Sequence, residues 1–239
     1  MRNPSFSIIC CYYNEINILQ KKFYKFFEFS SKLDFDYKFI FIDNNSSDGT
    51  KEFLKKEEQK KRENFFFIFN DKNIGKGGSI KKGLSVTDKE YAIIFDIDEY
   101  ELSDLRKIYD IINREDFDFL VGSRIFKNKA NFIYKKNYYG VKFLTFIINF
   151  LFNLNLTDAA GATKMIKMSE YKKYSFLTNK FDLEFDVLCR FAKNKKKISE
   201  FHSNYEPRTY KEGKKLRAFK DGFTILIVIL KNFFLKNEK

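Results

Sequence analysis

At 239 residues and 28.7 kDa the chain is long enough to bury one large core, and a composition 44% hydrophobic and 19% aromatic excludes a wholly disordered protein. Lys and Arg number 45 against 32 Asp and Glu, a formal charge of +13 that favours anionic partners: nucleotide phosphates, acidic lipid headgroups or nucleic acid. No stretch reaches the roughly 18–20 apolar residues that span a bilayer, and the N-terminus lacks the apolar core of a signal peptide.

Phe6 to Tyr12 is an apolar run that ends at Tyr13-Asn14-Glu15, the pattern of a buried first strand opening onto a polar loop. Cys10 and Cys11 lie in it; with one further cysteine they make neither a disulfide framework nor a metal-ligand spacing, and a reducing cytosol suits them. Ile16, Leu19, Phe23, Phe26 and Phe27 recur at helical spacing and predict one helix. Tyr37 to Ile42 predicts a second strand, delivering Asp43 to Thr50 into a turn before a charged helix from about Lys51 to Arg62. Phe65 to Phe69 is a third strand. The glycine-rich turn Asn73 to Ser79 follows and leads into a helix through Ile80 and Leu84. It is not a P-loop; it fits either close backbone packing or a phosphate held by Lys76 and backbone N–H groups.

Glu90 to Phe95 predicts a fourth strand whose tip carries Asp96-Ile97-Asp98. Two carboxylates separated by one residue suit a hard divalent cation set against a diphosphate, since such cations prefer oxygen ligands. Leu102 to Asn113 reads as a helix with Ser103 as its cap, and Phe117 to Val121 as a fifth strand ending at Gly122-Ser123-Arg124. Lysines and aromatics then alternate from Phe126 to Tyr139, a mixture that fits nucleic acid or a membrane interface. Val141 to Leu156 is apolar nearly all round, which predicts a helix buried in core, in a partner or in lipid. A short strand around Thr163 to Met168, a helix from Asp182 to Ala192 bearing Glu184 and Asp186, and a last strand from Ile198 to Tyr205 follow. His202, the single histidine, reads as structural. Tyr205 to Lys215 concentrates phosphate-binding groups in Arg208, Lys214 and Lys215, and Phe219 to Phe234 forms an apolar stripe at helical period. Strands alternating with helices imply βαβ units in a mainly parallel sheet, with the tips of strands one, two and four on one edge.

These motifs, in this order, resemble the inverting family 2 glycosyltransferases of the GT-A fold, above all the dolichol-phosphate and polyprenyl-phosphate sugar transferases. The resemblance runs through Tyr13-Asn14-Glu15, the turn Asp43 to Thr50, Asn73 to Gly77, Asp96 to Asp98, Gly122 to Arg124, Leu156 to Asp158 and Tyr205 to Lys215. It implies an α/β GT-A domain over residues 1–215, with a nucleotide-sugar half to about 123 and an acceptor half beyond it, and a C-terminal amphipathic helix over 216–239. It implies a nucleotide-binding set of Tyr13, Glu15, Asp43, Lys76, Asp96, Arg208 and Lys214, and Mg²⁺ or Mn²⁺ on Asp96, Asp98 and Glu99. Arg124 matches the region that holds an acceptor phosphate.

A phosphate acceptor needs no general base, being anionic near neutral pH. A sugar-hydroxyl acceptor needs one, with Asp158, Glu184 and Asp186 as candidates. The resemblance thus implies a cytoplasmic enzyme, peripheral at a membrane, that loads a sugar onto a polyprenyl-phosphate and needs no nucleic-acid partner. Extension of a cell-surface glycan or glycolipid is the alternative acceptor chemistry. A basic lipid- or nucleic-acid-binding protein, or a transferase that binds donor without turnover, is the rival class. The pattern departs from the family's at Asn44, where a second Asp is usual, at Cys10 to Tyr12, and at Ala159-Ala160-Gly161, where larger residues are usual.

Overall fold

The computed structural model describes residues 2–126, 129–130, 132–209 and 218–235. The strands β1 (Phe6–Tyr12), β2 (Tyr37–Asp43), β3 (Phe65–Phe69) and β4 (Tyr91–Ile94) form where the apolar runs predict them and pair in parallel. After β5 (Phe119–Ser123), the short hairpin β6 (Ile125–Phe126) and β7 (Lys129–Ala130) leads to α6 (Lys135–Phe152), then β8 (Lys164–Lys167) and β9 (Ile198–His202). The seven-stranded sheet has the order β3-β2-β1-β4-β8-β5-β9. Only β8 runs against the rest, pairing antiparallel with both β4 and β5. Its entry end therefore lies beside the exit ends of its neighbours, and Lys164 joins the edge reached by Asp96 and Arg124.

Both faces of the sheet are covered. Phe6, Ile8, Cys10 and Tyr12 of β1 pack toward α1 (Ile16–Lys22), α2 (Tyr24–Ser30), α3 (Thr50–Glu58) and α5 (Ser103–Arg114). Ile9 points the other way, with Ile40 and Ile42 of β2, toward α4 (Gly75–Ser85), α6, α8 (Leu183–Lys193) and α9 (Ala218–Phe234). Alternation along strands buried on both faces explains why they read as continuous apolar runs. Phenylalanine fills much of the first layer: Phe26 meets Phe39 and Phe41 edge-on at centroid distances of 5.1 Å, and Phe27 stacks on Phe65 at 5.0 Å.

Several boundaries differ from the sequence reading. The predicted first helix is divided at Phe23, where the Phe26 N–H turns back to the Phe23 carbonyl three residues away. The charged helix stops at Glu58, short of Arg62. Ser103 is not a cap: Leu102 holds that position, and the Ser103 hydroxyl donates to Glu101. The helix expected from Val141 begins six residues earlier at Lys135 and ends at Asn153, whose left-handed φ of 53° stops it. The Asn149 amide then clamps the exit, accepting from the Leu156 N–H and donating to the Leu156 carbonyl. His202 ends β9 on the surface.

Two glycines are required by close packing. Gly77 lies in the first turn of α4, and a Cβ there would come within 2.2 Å of the Lys180 carbonyl oxygen; the glycine-rich segment is thus the start of a helix rather than a turn before one. Gly161, in the small-residue run, lies against the Gly122 backbone, where a Cβ would meet the carbonyl oxygen at 1.8 Å. The small residues beside Asp158 are therefore what lets the loop before β8 approach β5. Gly161→Ala is expected to lower stability by about 1–3 kcal/mol or more, through a forced backbone shift, in a denaturant-unfolding measurement.

Candidate active site

The exit ends of β1 and β2 are tied together by the turn that follows β2. The Asn14 N–H donates to the Ser46 hydroxyl, Glu15 N–H to Thr50, and Ile16 N–H to Asp48 at 3.0, 2.9 and 3.0 Å. The Ser47 N–H returns a bond to the Asn14 side chain at 2.9 Å. The polar run from Asp43 to Thr50 thereby holds Tyr13 and Glu15 at the mouth of a cavity of about 940 Å³. Tyr13, Glu15, Lys76, Asp96, Asp98, Glu99, Arg124 and Arg208 all line it. Asp43 lies behind that wall: it is fully buried and accepts the Ser46 N–H, a turn-holding contact. Asn44 lines the wall instead, donating to Asn73 at 2.8 Å and accepting from the Ile74 N–H at 3.0 Å. Lys214 lies outside the described residues.

At the centre, buried charges alternate. Lys76 reaches from the first turn of α4 to Asp96 at 2.5 Å and to Glu184 at 3.2 Å. Glu184 also takes Lys164 at 3.0 Å, and Lys164 donates in addition to the Gly161 carbonyl. Burial and the neighbouring carboxylates Asp98 and Glu184 push the Asp96 carboxyl up to about 6, although Lys76 pulls the other way. Burial opposes the charge on Lys76, yet Asp96 and Glu184 hold it well above the ordinary lysine value. Burial also opposes the charge of Glu184, and Lys164 and Lys76 overcome it, keeping its carboxyl below the ordinary range. Nearer the mouth, Arg208 bridges Asp98 and Glu15, the latter at 3.1 Å. Asp98 is raised by burial and by Glu99 and Glu15, with Arg208 opposing.

These donors bear on the expected cation. Asp96 and Asp98 present hard carboxylate oxygens on one wall, in a cluster where carboxylates outnumber the cations that neutralise them. That excess fits one divalent ion completed by diphosphate oxygens, which is how Mg²⁺ is commonly held. Among the described residues no three His, Cys, Asp or Glu side chains form a metal-holding group.

Arg124 and Asp158, expected at the acceptor, form a buried two-point pair: Nε to Oδ2 at 2.7 Å and Nη2 to Oδ1 at 2.9 Å, with the Arg124 N–H adding 3.0 Å. The guanidinium carbon lies 4.9 Å from the Phe132 ring centroid and 5.4 Å from that of Tyr205. Burial works against the Asp158 carboxylate, and Arg124 more than compensates, holding it below the ordinary range. With both oxygens engaged, Asp158 orients Arg124 and is a poor base. Asp186 is corrected as well: it is absent from the cavity wall, accepts the Leu177 and Thr178 N–H groups, and takes the Asn232 amide of α9 at 2.8 Å. Of the three candidate bases, Glu184 alone lines the cavity. The sequence reading missed Lys164 and Asn73; Lys164 opens a four-residue strand that also ends in a lysine, so its residue type gave no signal that separated it from Lys167.

The family model for glycosyl transferase family 2 matches residues 7–175. The chain is 29% identical over 121 residues to a dolichyl-phosphate beta-glucosyltransferase of Dictyostelium discoideum, a match covering 48% of this chain and 37% of that protein. It is 28% identical over 102 residues to an uncharacterized glycosyltransferase of Methanocaldococcus jannaschii, covering 43% and 34%. The chain thus spans about a third of the length of these curated relatives. Among solved structures it is similar to residues 1–349 of S. aureus TarS in complex with UDP-GlcNAc, with TM-score 0.61, 15% identity, and 98% of this chain and 68% of that one covered. It is also similar to glucosyl-3-phosphoglycerate synthase from Mycobacterium tuberculosis in complex with Mn²⁺, UDP-glucose and phosphoglyceric acid, with TM-score 0.66, 11% identity, and 98% and 81% covered. At these identities the likeness is one of fold, the GT-A fold that the sequence resemblance implied.

Removing Asp158 leaves a buried guanidinium without its two-point partner. Asp158→Ala is therefore expected to cost about 3–5 kcal/mol in denaturant unfolding. Because Asp158 ionises below its unfolded value, the pair contributes fully above about pH 4 and loses its contribution as pH falls further. The stability gap between wild type and variant should narrow on acidification.

Proposed function

The chain belongs to glycosyl transferase family 2, and on that premise we propose that it moves a sugar from a nucleotide-diphosphate sugar, with inversion, to a polyprenyl-phosphate acceptor at a membrane surface. The observation that carries this reading is one continuous cavity. Its wall runs from Tyr13, Asn44 and Asn73, past the charges around Asp96 and Asp98, to Arg124 and Lys136, and then to the apolar side chains of Tyr139, Val141, Phe143 and Leu226. A polar donor and an acceptor with a phosphate and an apolar tail both find their chemistry there. The dolichyl-phosphate relative and the UDP-sugar complexes of the structural neighbours support the same reading.

In this reading residues to about 123, joined by Arg208, bind donor, and the others beyond 123 bind acceptor. Tyr13, Glu15 and Asn44 face the nucleoside. Lys76 and Arg208 lie beside Asp96 and Asp98, where they counter diphosphate charge. Asp96 and Asp98 would hold Mg²⁺ or Mn²⁺, which would supply charge neutralisation to the leaving diphosphate. Arg124, fixed by Asp158 and flanked by Phe132 and Tyr205, orients the acceptor phosphate together with Lys136. The phosphate oxygen attacks the anomeric carbon from the side opposite the diphosphate, which inverts that centre. Asp158 and Glu184 are engaged by cations, so the site favours an acceptor that brings its own negative charge over a hydroxyl needing a base.

Thermal stabilisation by UDP-, GDP-, CDP- and dTDP-sugars, each with and without Mn²⁺, tests the donor site. A cation-dependent shift with one nucleotide is expected, and no shift with any of them would sink the reading. Asp98→Ala should lower transfer to a polyprenyl-phosphate by about 100-fold or more while leaving the melting temperature within a few degrees. Undiminished transfer in that variant would remove the metal role. Arg208→Ala should weaken donor stabilisation far more than it weakens membrane association; equal loss of both would place Arg208 at the lipid surface.

A further inference from the structure

α6 and α9 each carry apolar side chains on more of their circumference than the core uses. α6 turns Leu144 and Ile148 inward, and α9 turns in Ile225, Val228 and Ile229. The two helices pack on each other, and the Phe152 and Phe233 rings meet edge-on at 6.0 Å. What remains outside is a second apolar row on each: Phe143, Phe146 and Phe150 on α6, and Phe223, Ile227, Leu230 and Phe234 on α9. Spacings of three and four residues put each row on one helix face. Phe146 is 66% exposed, and Phe150 and Phe234 are 78% exposed. Exposed apolar rows of this kind, on two helices that pack on each other, mark an interaction site.

We infer that this outer face of α6 and α9 docks on the headgroup region of an anionic lipid membrane. Charge selects that occupant. α6 bears the exposed lysines Lys135, Lys136 and Lys142 and no acidic residue, α9 bears exposed Lys231, and the whole chain carries +13. Phenylalanines between lysines are the composition of a helix lying in the interface plane, with rings in the acyl boundary and ammonium groups among phosphates. A second copy of the chain on the same face would instead bring two strongly positive molecules together. Continuity with the cavity points the same way: Tyr139, Phe143 and Phe223 line the cavity and are also exposed, so it opens onto this face. Among the described residues no helix is long and apolar enough to cross a membrane. The docking stands on the surface alone; its use, admitting a lipid-linked acceptor sideways from the membrane, rests on the proposed function.

Cosedimentation of the full chain with vesicles tests it, using phosphatidylcholine alone and phosphatidylcholine mixed with phosphatidylglycerol. Wild type should bind the mixed vesicles at least about tenfold more strongly, less so as salt is raised. The variant Phe146→Ser/Phe150→Ser/Phe234→Ser should lose at least about tenfold of that binding while keeping the wild-type melting temperature and donor stabilisation, since none of these side chains lines the cavity. Lys135→Glu/Lys142→Glu should erase the preference for anionic vesicles. Vesicle binding by the triple variant equal to wild type, or no binding by wild type, would overturn the inference. So would a wild-type dimer that the triple variant converts to monomer, which would assign the face to a second copy. Donor stabilisation without vesicle binding would sink the docking alone, and vesicle binding without donor stabilisation would sink the proposed function alone.

Discussion

The Lys76 ammonium, held between Asp96 and Glu184, is the contact on which the site's geometry rests. It joins the exit of β4, the first turn of α4 and the first turn of α8, three elements from separate parts of the sequence. Without a cation between them, two buried carboxylates would repel across a cavity of low dielectric, and one would be driven to take up a proton. Gly77 is what allows α4 to start close enough for this reach, because its missing side chain makes room for the backbone at Asn179 and Lys180. Lys164 extends the same pattern from the opposite strand direction. The polar core of the site is therefore built by alternation of charge rather than by isolated ion pairs.

The sheet was legible because its strands are buried on both faces and appear as runs of apolar residues closed by polar ones. The edge on which they deliver Tyr13, Asp96 and Arg124 follows from that alone. What was not legible was direction and partnership. Nothing in Lys164-Met165-Ile166-Lys167 says that this strand enters antiparallel between β4 and β5, because pairing is decided by contacts far away in sequence. Asp43 and Asn44 illustrate the limit more finely. Carboxylate chemistry drew attention to Asp43, which the turn engages, while the buried amide of Asn44 beside it lines the cavity. Asp158 reads as a base from its residue type and becomes an anchor once Arg124 is seen to occupy both of its oxygens.

The composition acquires meaning in the same way. An abundance of phenylalanine looks like a bias of usage, and in the layer over β1 and β2 it acts as ordinary filling. On α6 and α9 the interior face is taken by Leu144, Ile148, Ile225, Val228 and Ile229, while phenylalanines stand on the open one. Helical periodicity could not separate these cases, since a helix that is apolar all round has no moment to reveal which side is covered.

Arg208 meets Glu15 across 193 residues of chain, and Asn204 meets Asp104 across 100. Contacts of such sequence separation form only after the intervening chain has been organised, so they report on the completed sheet and cannot precede it. The mouth of the cavity is thus closed by side chains from distant parts of the sequence that hold little secondary structure of their own. Local opening of the segment around Arg208 would release Glu15 and Asp98 together without disturbing a strand of the core. Amide exchange near Tyr205 and near the β1 exit should consequently rise and fall as one unit, at a lower free energy than exchange from β1 itself.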